Sequence, residues 1–330
     1  MSCEVWTLAE VREGRVHPLS RELLAWGREL ADAMSAPLAS VVIGSGVKEE
    51  AKDLAFYGAD KIYIIDSPEF EHFKADIISE ALSELTERYE PSVLIASATT
   101  RGRTLMPMTS ARLGCGLTAD CTELAIDHAT KRLIQTRPAI GGNVMADIKT
   151  KGRDPQMCTV RPKSKRPLAR NDNRTAETVE YTCRKNPLKS LTDFIRFDRE
   201  QSVGLPLQEA EIIVAGGKGM KNAKNFAKLG ELAELIGGTV GASRMAVDLG
   251  WAPYSAQVGL SGKSVTPKLY MAFGISGAVQ HIAGMSGAEK IIAINHDPEA
   301  PISRTADLFV QADAMETLSA LIAAIKSRSK

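Results

Sequence analysis

The chain has 330 residues, of which 44% are hydrophobic and 25% are charged, and its formal net charge at pH 7 is +1. This length predicts two domains, and the near-neutral charge excludes a general attraction to nucleic acid or to an anionic membrane surface. No apolar run reaches the roughly 18 residues of a membrane span, and residues 1–10 lack an export signal. We therefore expect a cytoplasmic protein without membrane insertion.

The cysteine and histidine pattern offers no metal site. The five cysteines are widely spaced, and none belongs to a C-x-x-C pair. Structural zinc and iron–sulfur clusters need such ligand pairs, so we predict no bound metal and mostly buried, reduced thiols. Only His281 among the histidines lies inside a recognisable motif.

The N-terminal part of the chain alternates strand-like and helix-like segments, which predicts a parallel, doubly wound sheet. Residues 20–34 have the apolar spacing of a helix that Ser20 could cap. The β-rich runs are residues 5–8, 38–43, 61–65 and 93–96. Loop 99–103, with two arginines, follows the fourth run and precedes a predicted helix over 104–113. It could bind a nucleotide or present its arginines to a partner chain, and the sequence favours neither.

From residue 117 the pattern changes, because β-like segments follow one another with no helix between them. They predict an antiparallel extension of the same domain, formed by residues 124–126, 133–136, 144–148 and 157–160. The basic stretch 163–174 lacks interleaved aromatic residues, which favours a solvated loop over an anion site. Strand character returns at 175–182 and 194–197. Residues 201–208, with a glycine and a proline, predict a linker.

The second domain begins with a predicted strand over 211–215, a glycine turn that carries Lys218, and a helix over 222–236. A lysine in a glycine turn at a strand end suits a phosphate or an electron-rich ring. The next strand, 239–242, delivers Ser243 and Arg244 to the same edge. Arginine there offers a fixed charge and a planar face.

Residues 269–297 form the most informative stretch. Buried strands are predicted at 269–273 and 291–294, joined by a glycine-containing turn over 274–277 and a helix that begins near Ala278. Glycines allow an anionic group to approach the backbone, and unpaired N–H groups at a helix start can bind it. The stretch therefore predicts a phosphate or pyrophosphate site.

Several motifs resemble the alpha subunit of electron-transfer flavoprotein. In the second domain they are GASRMAVDLGW (241–251), QVGLSGK (257–263), LYMAFGISGAVQHIAGM (269–285) and IIAINHDPEAPI (291–302). In the first domain they are LGCGLTADCTEL (113–124), TRPAIGGNVMADI (136–148) and PQMCTVRP (155–162). The resemblance covers nearly the whole chain in the same order.

The resemblance implies two α/β domains, each with a mainly parallel doubly wound sheet. Residues 1–205 would pack on a beta subunit, and residues 206–330 would form a Rossmann-like FAD-binding domain. Arg244 would lie over the flavin ring, Ser261 near N5, and His281 near the C2 carbonyl. The full set of FAD-binding residues that the resemblance implies is Lys218, Ser243, Arg244, Gln257, Val258, Gly259, Leu260, Ser261, Ser276, Gly277, Ala278, Val279, Gln280, His281, Asn295 and Asp313.

The resemblance also implies partners. The chain would be an electron-carrier subunit without catalytic residues of its own, and it would act as an oxidoreductase only in complex with a beta subunit and an acyl-CoA dehydrogenase or similar flavoenzyme. Segments 141–148 and 155–162 resemble the branch that bifurcates electrons from NADH, with ferredoxin or flavodoxin as a further partner. Lys218 and Leu260 depart from the family's usual arginine and glutamine. The alternative from another class is a non-redox, nucleotide-binding regulatory protein.

Overall fold

A computed structural model of the chain describes residues 4–139, 144–184, 188–197, 206–208 and 210–328. The chain divides into two compact units, Met1–Arg196 and Phe197–Lys330. The predicted domain boundary follows residue 205. Residues 198–205, which include most of the predicted linker over 201–208, lie outside the described residues. The boundary therefore stays a prediction.

The first unit is built on one large sheet. Its strands are β1 (Val5–Leu8), β2 (Val11–Arg12), β3 (Arg15–Val16), β4 (Leu38–Gly44), β5 (Lys61–Asp66), β6 (Val93–Ser97), β7 (Leu117–Cys121), β8 (Glu123–Ile126), β9 (Leu133–Pro138), β10 (Met145–Lys149), β11 (Gln156–Val160) and β12 (Glu177–Glu180). Its helices are α1 (Leu19–Met34), α2 (Lys48–Lys52), α3 (Ala75–Tyr89) and α4 (Thr100–Leu113). The large sheet has the order β12-β5-β4-β1-β6-β11-β7.

Every neighbouring pair in this seven-stranded sheet is parallel. Side chains of α1 and α2 pack in the core on one face, and those of α3 and α4 pack in the core on the other. Central strands buried on both faces need nearly continuous apolar sequence, which is what β4 provides with LASVVIG. The prediction of a doubly wound parallel sheet is confirmed.

The antiparallel extension is smaller than predicted. Strands β8, β9 and β10 form a three-stranded antiparallel sheet. The predicted fourth member, residues 157–160, instead belongs to β11, which pairs in parallel with β6 and β7 in the large sheet. All residues of β11 are buried, whereas exposed and half-buried residues alternate along β10. That difference in burial distinguishes a central strand from a strand with one solvated face.

Three local predictions also need correction. Residues 194–197 do not form a strand; Ile195 is 91% exposed. Ser20 does not cap α1, because the helix begins at Leu19 and the Ser20 hydroxyl accepts a hydrogen bond from the Glu10 N–H at 3.0 Å. The strand expected at 175–182 is shorter and lies at the edge of the large sheet as β12.

The basic stretch 163–174 contains no helix or strand in the structure. Among its cations, Lys165 pairs with Glu29, and Arg174 pairs with Asp60 at 2.7 Å. Ion pairs of this exposed kind contribute little stability, and they occupy charges that an anionic ligand would need. The contacts favour the loop interpretation.

The second unit contains a five-stranded parallel sheet. Its strands are β13 (Ile212–Gly216), β14 (Thr239–Ala242), β15 (Leu269–Phe273), β16 (Lys290–Asn295) and β17 (Leu308–Gln311), and its helices are α5 (Ala223–Leu235), α6 (Arg244–Asp248), α7 (Val279–Met285) and α8 (Ala314–Arg328). The strand order is β14-β13-β15-β16-β17. Helices α5 and α8 pack on one face, and α7 packs on the other. No helix in the described part of either unit combines the length and apolar character needed to cross a bilayer.

Candidate functional site

A large cavity of the second unit lies at the carboxyl ends of its strands. After β13 the chain moves first to β14 on one side and then to β15 on the other. Such a switch point opens a crevice where open α/β sheets bind ligands. The cavity has a volume of about 690 Å³, within the usual range for cofactor sites. Its walls are formed by Gly217, Lys218, Gly219, Ser243, Arg244, Met245, Asp248, Val258, Gly259, Leu260, Ser261, Gly274, Ile275, Ser276, Ala278, Gln280, His281, Asn295, His296, Asp297 and Ala300.

Two glycine turns meet at the floor of this crevice. The Gly217 N–H donates to the Phe273 carbonyl at 2.9 Å, and the Gly219 N–H donates to the Gly274 carbonyl at 2.9 Å. A Cβ added at Gly217 would lie 2.4 Å from the Gly274 carbonyl oxygen, so the two backbones can approach only without side chains. The close contact leaves Lys218 exposed at the cavity wall.

Arg244 provides an accessible positive charge. Ser243 caps helix α6, since its hydroxyl accepts from the Ala246 N–H at 3.4 Å. Arg244 therefore begins the helix directly after β14. Its side chain is 72% exposed and lies 3.5 Å from the carboxylate of Asp248, one helical turn later. An exposed pair of this kind is weak, so the guanidinium can still contact a ligand.

The loop over 257–261 presents a hydroxyl group. Gln257 is buried and donates from Nε2 to the Ser261 Oγ at 3.0 Å. Because this hydrogen bond uses a lone pair of Oγ, the Ser261 O–H can still donate to a ligand. The Leu260 N–H donates to the Gln280 carbonyl at 2.8 Å, which fixes the loop against the segment that leads into α7. Leu260 itself is exposed at the cavity wall.

His281 is a buried, neutral group at the cavity. Its Nε2 lies 3.0 Å from the Tyr270 Oη. Burial lowers the pKa of His281 to about 4, because the charged ring loses its hydration, and the Val258 backbone acts in the opposite direction. The Nδ1 atom is itself buried and has no hydrogen-bond partner among the described residues. Near neutral pH the ring carries one proton.

Residues 5–185 match the family model of the electron transfer flavoprotein domain, and residues 206–286 match that of the electron transfer flavoprotein FAD-binding domain. The electron transfer flavoprotein subunit alpha of Thermoanaerobacterium thermosaccharolyticum is 42% identical over 323 residues, which cover 98% of this chain and 98% of that protein. The chain belongs to the electron transfer flavoprotein alpha-subunit family. The resemblance drawn from the motifs is thus confirmed, and the second match supports flavin binding.

Two other relatives carry different names. The protein FixB of Azotobacter vinelandii is 41% identical over 331 residues, which cover 98% of this chain and 91% of that protein. The lactate dehydrogenase (NAD(+),ferredoxin) subunit LctC of Acetobacterium woodii is 40% identical over 314 residues, which cover 95% of this chain and 75% of that protein. Membership in the electron transfer flavoprotein family favours an electron carrier over the non-redox alternative.

The cavity gathers most of the residues that the flavoprotein motifs implied. Those outside its walls are Gln257, Gly277, Val279 and Asp313. Gln257 reaches the site indirectly, through Ser261. Asp313 pairs with Lys221 at 2.8 Å and accepts from the Met315 N–H at 2.8 Å at the start of α8. The carboxylate thus has protein partners of its own, and its contact with FAD stays a prediction, as do the other implied contacts.

Other cavity residues were not foreseen from the sequence. Asp248 lies one helical turn after Arg244, and His296 and Asp297 directly follow β16. The rule that ligands bind beyond the carboxyl ends of parallel strands could have identified the last two. Asn295, which was foreseen, donates to the Ile275 carbonyl at 2.9 Å and so supports the turn after β15.

The arginine loop of the first unit does not favour the nucleotide interpretation. Arg101 donates to the Val11 carbonyl, and Arg103 donates to the Ala98 carbonyl at 2.9 Å. The cavity beside this loop has a volume of about 50 Å³, far below that of a cofactor site. Both guanidinium groups are therefore used within the unit.

Proposed function

We propose that this alpha subunit binds FAD in the cavity of its second unit and carries electrons between partner redox proteins as part of a heterodimer with a beta subunit. The observation that carries the proposal is the convergence of Arg244, Ser261 and His281 on one cavity at the switch point of a parallel sheet. A positive charge and neutral donors around a ring that gains electrons favour its reduced, anionic form.

The residues present fit such a ligand. His281 is buried with an unpartnered ring nitrogen, and the Ser261 hydroxyl has a proton to donate. In the proposal Arg244 lies over the flavin ring, Ser261 donates near N5, and His281 faces the C2 carbonyl. FAD, when bound, supplies the electron-transfer chemistry itself. The protein residues bind it, orient it and adjust how strongly it holds an added electron.

The remaining implied contacts would hold other parts of the cofactor. Ser243 would support Arg244, and Val258, Gly259 and Leu260 would contact the ring. Segment 276–281 would wrap the ring and the phosphates, while Lys218 would contribute charge. Asn295 and Asp313 would hold the ribose and adenosine end. Lys218 keeps the charge of the family's usual arginine without its planar fork, so we expect binding to persist with an altered potential.

We also propose an acyl-CoA dehydrogenase or similar flavoenzyme as a redox partner. The name of the Acetobacterium woodii relative refers to NAD(+) and ferredoxin. Together with the motifs at 141–148 and 155–162, this name supports NADH-dependent bifurcation with ferredoxin or flavodoxin as a further partner. Residues 141–143 of these motifs lie outside the described residues.

Co-expression tests the proposed assembly. We expect the chain expressed alone to be poorly soluble or to contain little flavin, and we expect a beta subunit to restore both properties. The measurement is the visible absorption of the purified protein, with the acid-released flavin identified by chromatography. A monodisperse monomer with full FAD content would contradict the need for a partner, and a colourless heterodimer would contradict the flavoprotein proposal.

A further inference from the structure

The wall of the cavity in the second unit carries carboxylates as well as cations. The cations are Lys218 and Arg244, and the carboxylates are Asp248 and Asp297. Asp297 accepts a hydrogen bond from the Glu299 N–H at 2.9 Å and so supports its own turn after β16. Among the described residues, Asp248 has one ion pair, which is with Arg244. A carboxylate at this wall disfavours an electron added to a ligand in the cavity, because like charges repel.

Helix stability does not explain the pair of Arg244 and Asp248. The two residues are the first and the last of helix α6. A cation at the start of a helix and an anion at its end both oppose the helix dipole, and this order of charges is the weaker one for residues four apart. The side chains are 72% and 54% exposed, so their attraction adds little to folding. The placement of both charges at the cavity points to a role toward its ligand.

We propose that Asp248 is a positioning residue that acts through Arg244: its carboxylate draws the guanidinium toward α6 and offsets part of its charge, which lowers the first reduction potential of the bound flavin. The inference rests on the proposed function, since it takes the cavity ligand to be a flavin. Arg244 favours the reduced ring, and Asp248 limits that effect, so the flavin can still pass its electron to the next carrier.

The geometry of the pair allows the carboxylate to restrain the guanidinium without fixing it. The contact joins the Arg244 Nε to the Asp248 Oδ2 at 3.5 Å. Charge-assisted hydrogen bonds between such groups are shorter, roughly 2.7–2.9 Å. The pair is therefore an electrostatic contact, and the terminal nitrogens of the guanidinium can still face a ligand. Loss of the carboxylate would leave the full charge of Arg244 to the flavin.

The test is a spectroelectrochemical titration of the heterodimer with the variant Asp248→Asn, which keeps the size of the side chain and removes its charge. We expect the first electron to be held roughly 2- to 15-fold more tightly, as for a unit charge on the order of 10 Å away at effective dielectric constants of about 80 to 20. This change raises the first potential by about 20–70 mV. Asp248→Glu keeps the charge and should stay closer to the wild-type value, and both variants should keep their flavin.

A second pair of variants distinguishes action through Arg244 from a direct effect of the carboxylate. In the Arg244→Ala background, Asp248→Asn should raise the first potential less than it does in the wild type, because no guanidinium remains to be released. Glu211→Gln is the matched control for charge. Glu211 is exposed, is paired with Lys268 at 2.9 Å and immediately precedes β13, at the opposite edge of the sheet from the cavity. Its charge is screened at physiological salt, so the potential should not change.

The outcomes separate this inference from the function on which it rests. A wild-type heterodimer that binds no flavin would refute the proposed function. With a flavin-loaded wild type, an unchanged or lower first potential in Asp248→Asn, or loss of its flavin, would refute the role of Asp248 alone. An equal shift with and without Arg244 would show that the carboxylate does not act through the guanidinium, which also contradicts the inference.

Discussion

We expect Gly217→Ala to abolish flavin retention by the heterodimer. The added Cβ would lie 2.4 Å from the Gly274 carbonyl oxygen and 2.9 Å from the Ile275 Cα, and backbone atoms cannot rotate away as the end of a side chain can. Overpacking of this kind typically costs about 1–3 kcal/mol. The two glycine turns would separate, and the floor of the cavity would change. Flavin content and chemical denaturation of the purified heterodimer measure both effects.

Gly230→Ala is the control for this substitution. Gly230 lies inside α5, and no heavy atom is within 4 Å of its added Cβ. Since alanine is the better helix former, this variant should keep its flavin and gain roughly 0.5–1 kcal/mol in the free energy of unfolding. Wild-type FAD affinity in Gly217→Ala would show that the contact between the turns does not shape the site.

The second large effect concerns Arg244. A guanidinium several ångströms from the flavin ring stabilises an added negative charge by roughly 1–3 kcal/mol at an effective dielectric constant near 20. For a one-electron step this corresponds to a shift of about 40–130 mV. We therefore expect Arg244→Ala to lower the first reduction potential of the flavin by that amount, with a modest loss of FAD. Arg244→Lys should restore only part of the shift, because lysine lacks the planar stacking group.

Lys268→Ala is the control for charge. Lys268 immediately precedes β15 and is paired with Glu211, so it lies at the opposite edge of the sheet from the cavity. A charge at that distance is largely screened at physiological salt, and the potential should stay at its wild-type value. Spectroelectrochemical titration measures all three variants. An unchanged first potential in Arg244→Ala would remove Arg244 from the flavin site.

The sequence predicted the strands best where apolar runs end in small or polar residues. Segments 239–242 and 269–273 match β14 and β15 residue for residue. The helix expected over 222–236 is α5, one residue shorter at each end. These elements are defined by local composition, because a buried parallel strand needs a continuous apolar run.

Strand β11 shows where local reasoning fails. Its neighbours β6 and β7 precede it in the chain, and the antiparallel strands β8 to β10 lie between β7 and β11 in sequence. From local sequence, a β-like segment that follows a hairpin is predicted to be one more strand of that hairpin. Its actual partners are strands that lie far from it in the sequence. The strand prediction for residues 194–197 was wrong for a different reason. These residues have β propensity, yet the described structure gives them no pairing strand.

The candidate site was also predictable only in part: its position follows from the local sequence, whereas its hydrogen bonds do not. The placement of Lys218, Arg244 and Ser276 at one sheet edge follows from the order of strands and turns, and the sequence could predict it. The hydrogen bonds from Gln257 to Ser261 and between Tyr270 and His281 depend on side-chain rotamers and on packing between distant segments. No spacing rule encodes them, although the first of them orients the Ser261 hydroxyl at the cavity wall.

Hydrogen–deuterium exchange of the heterodimer, with and without FAD, tests whether the cavity of the second unit binds the flavin. It locates the flavin on the chain that binds it, even if the beta subunit holds a second one. We expect FAD to add protection in residues 216–219, 243–248, 258–261 and 274–281 of this chain. FAD binding with protection confined to the beta subunit would show that the flavin does not bind in this cavity.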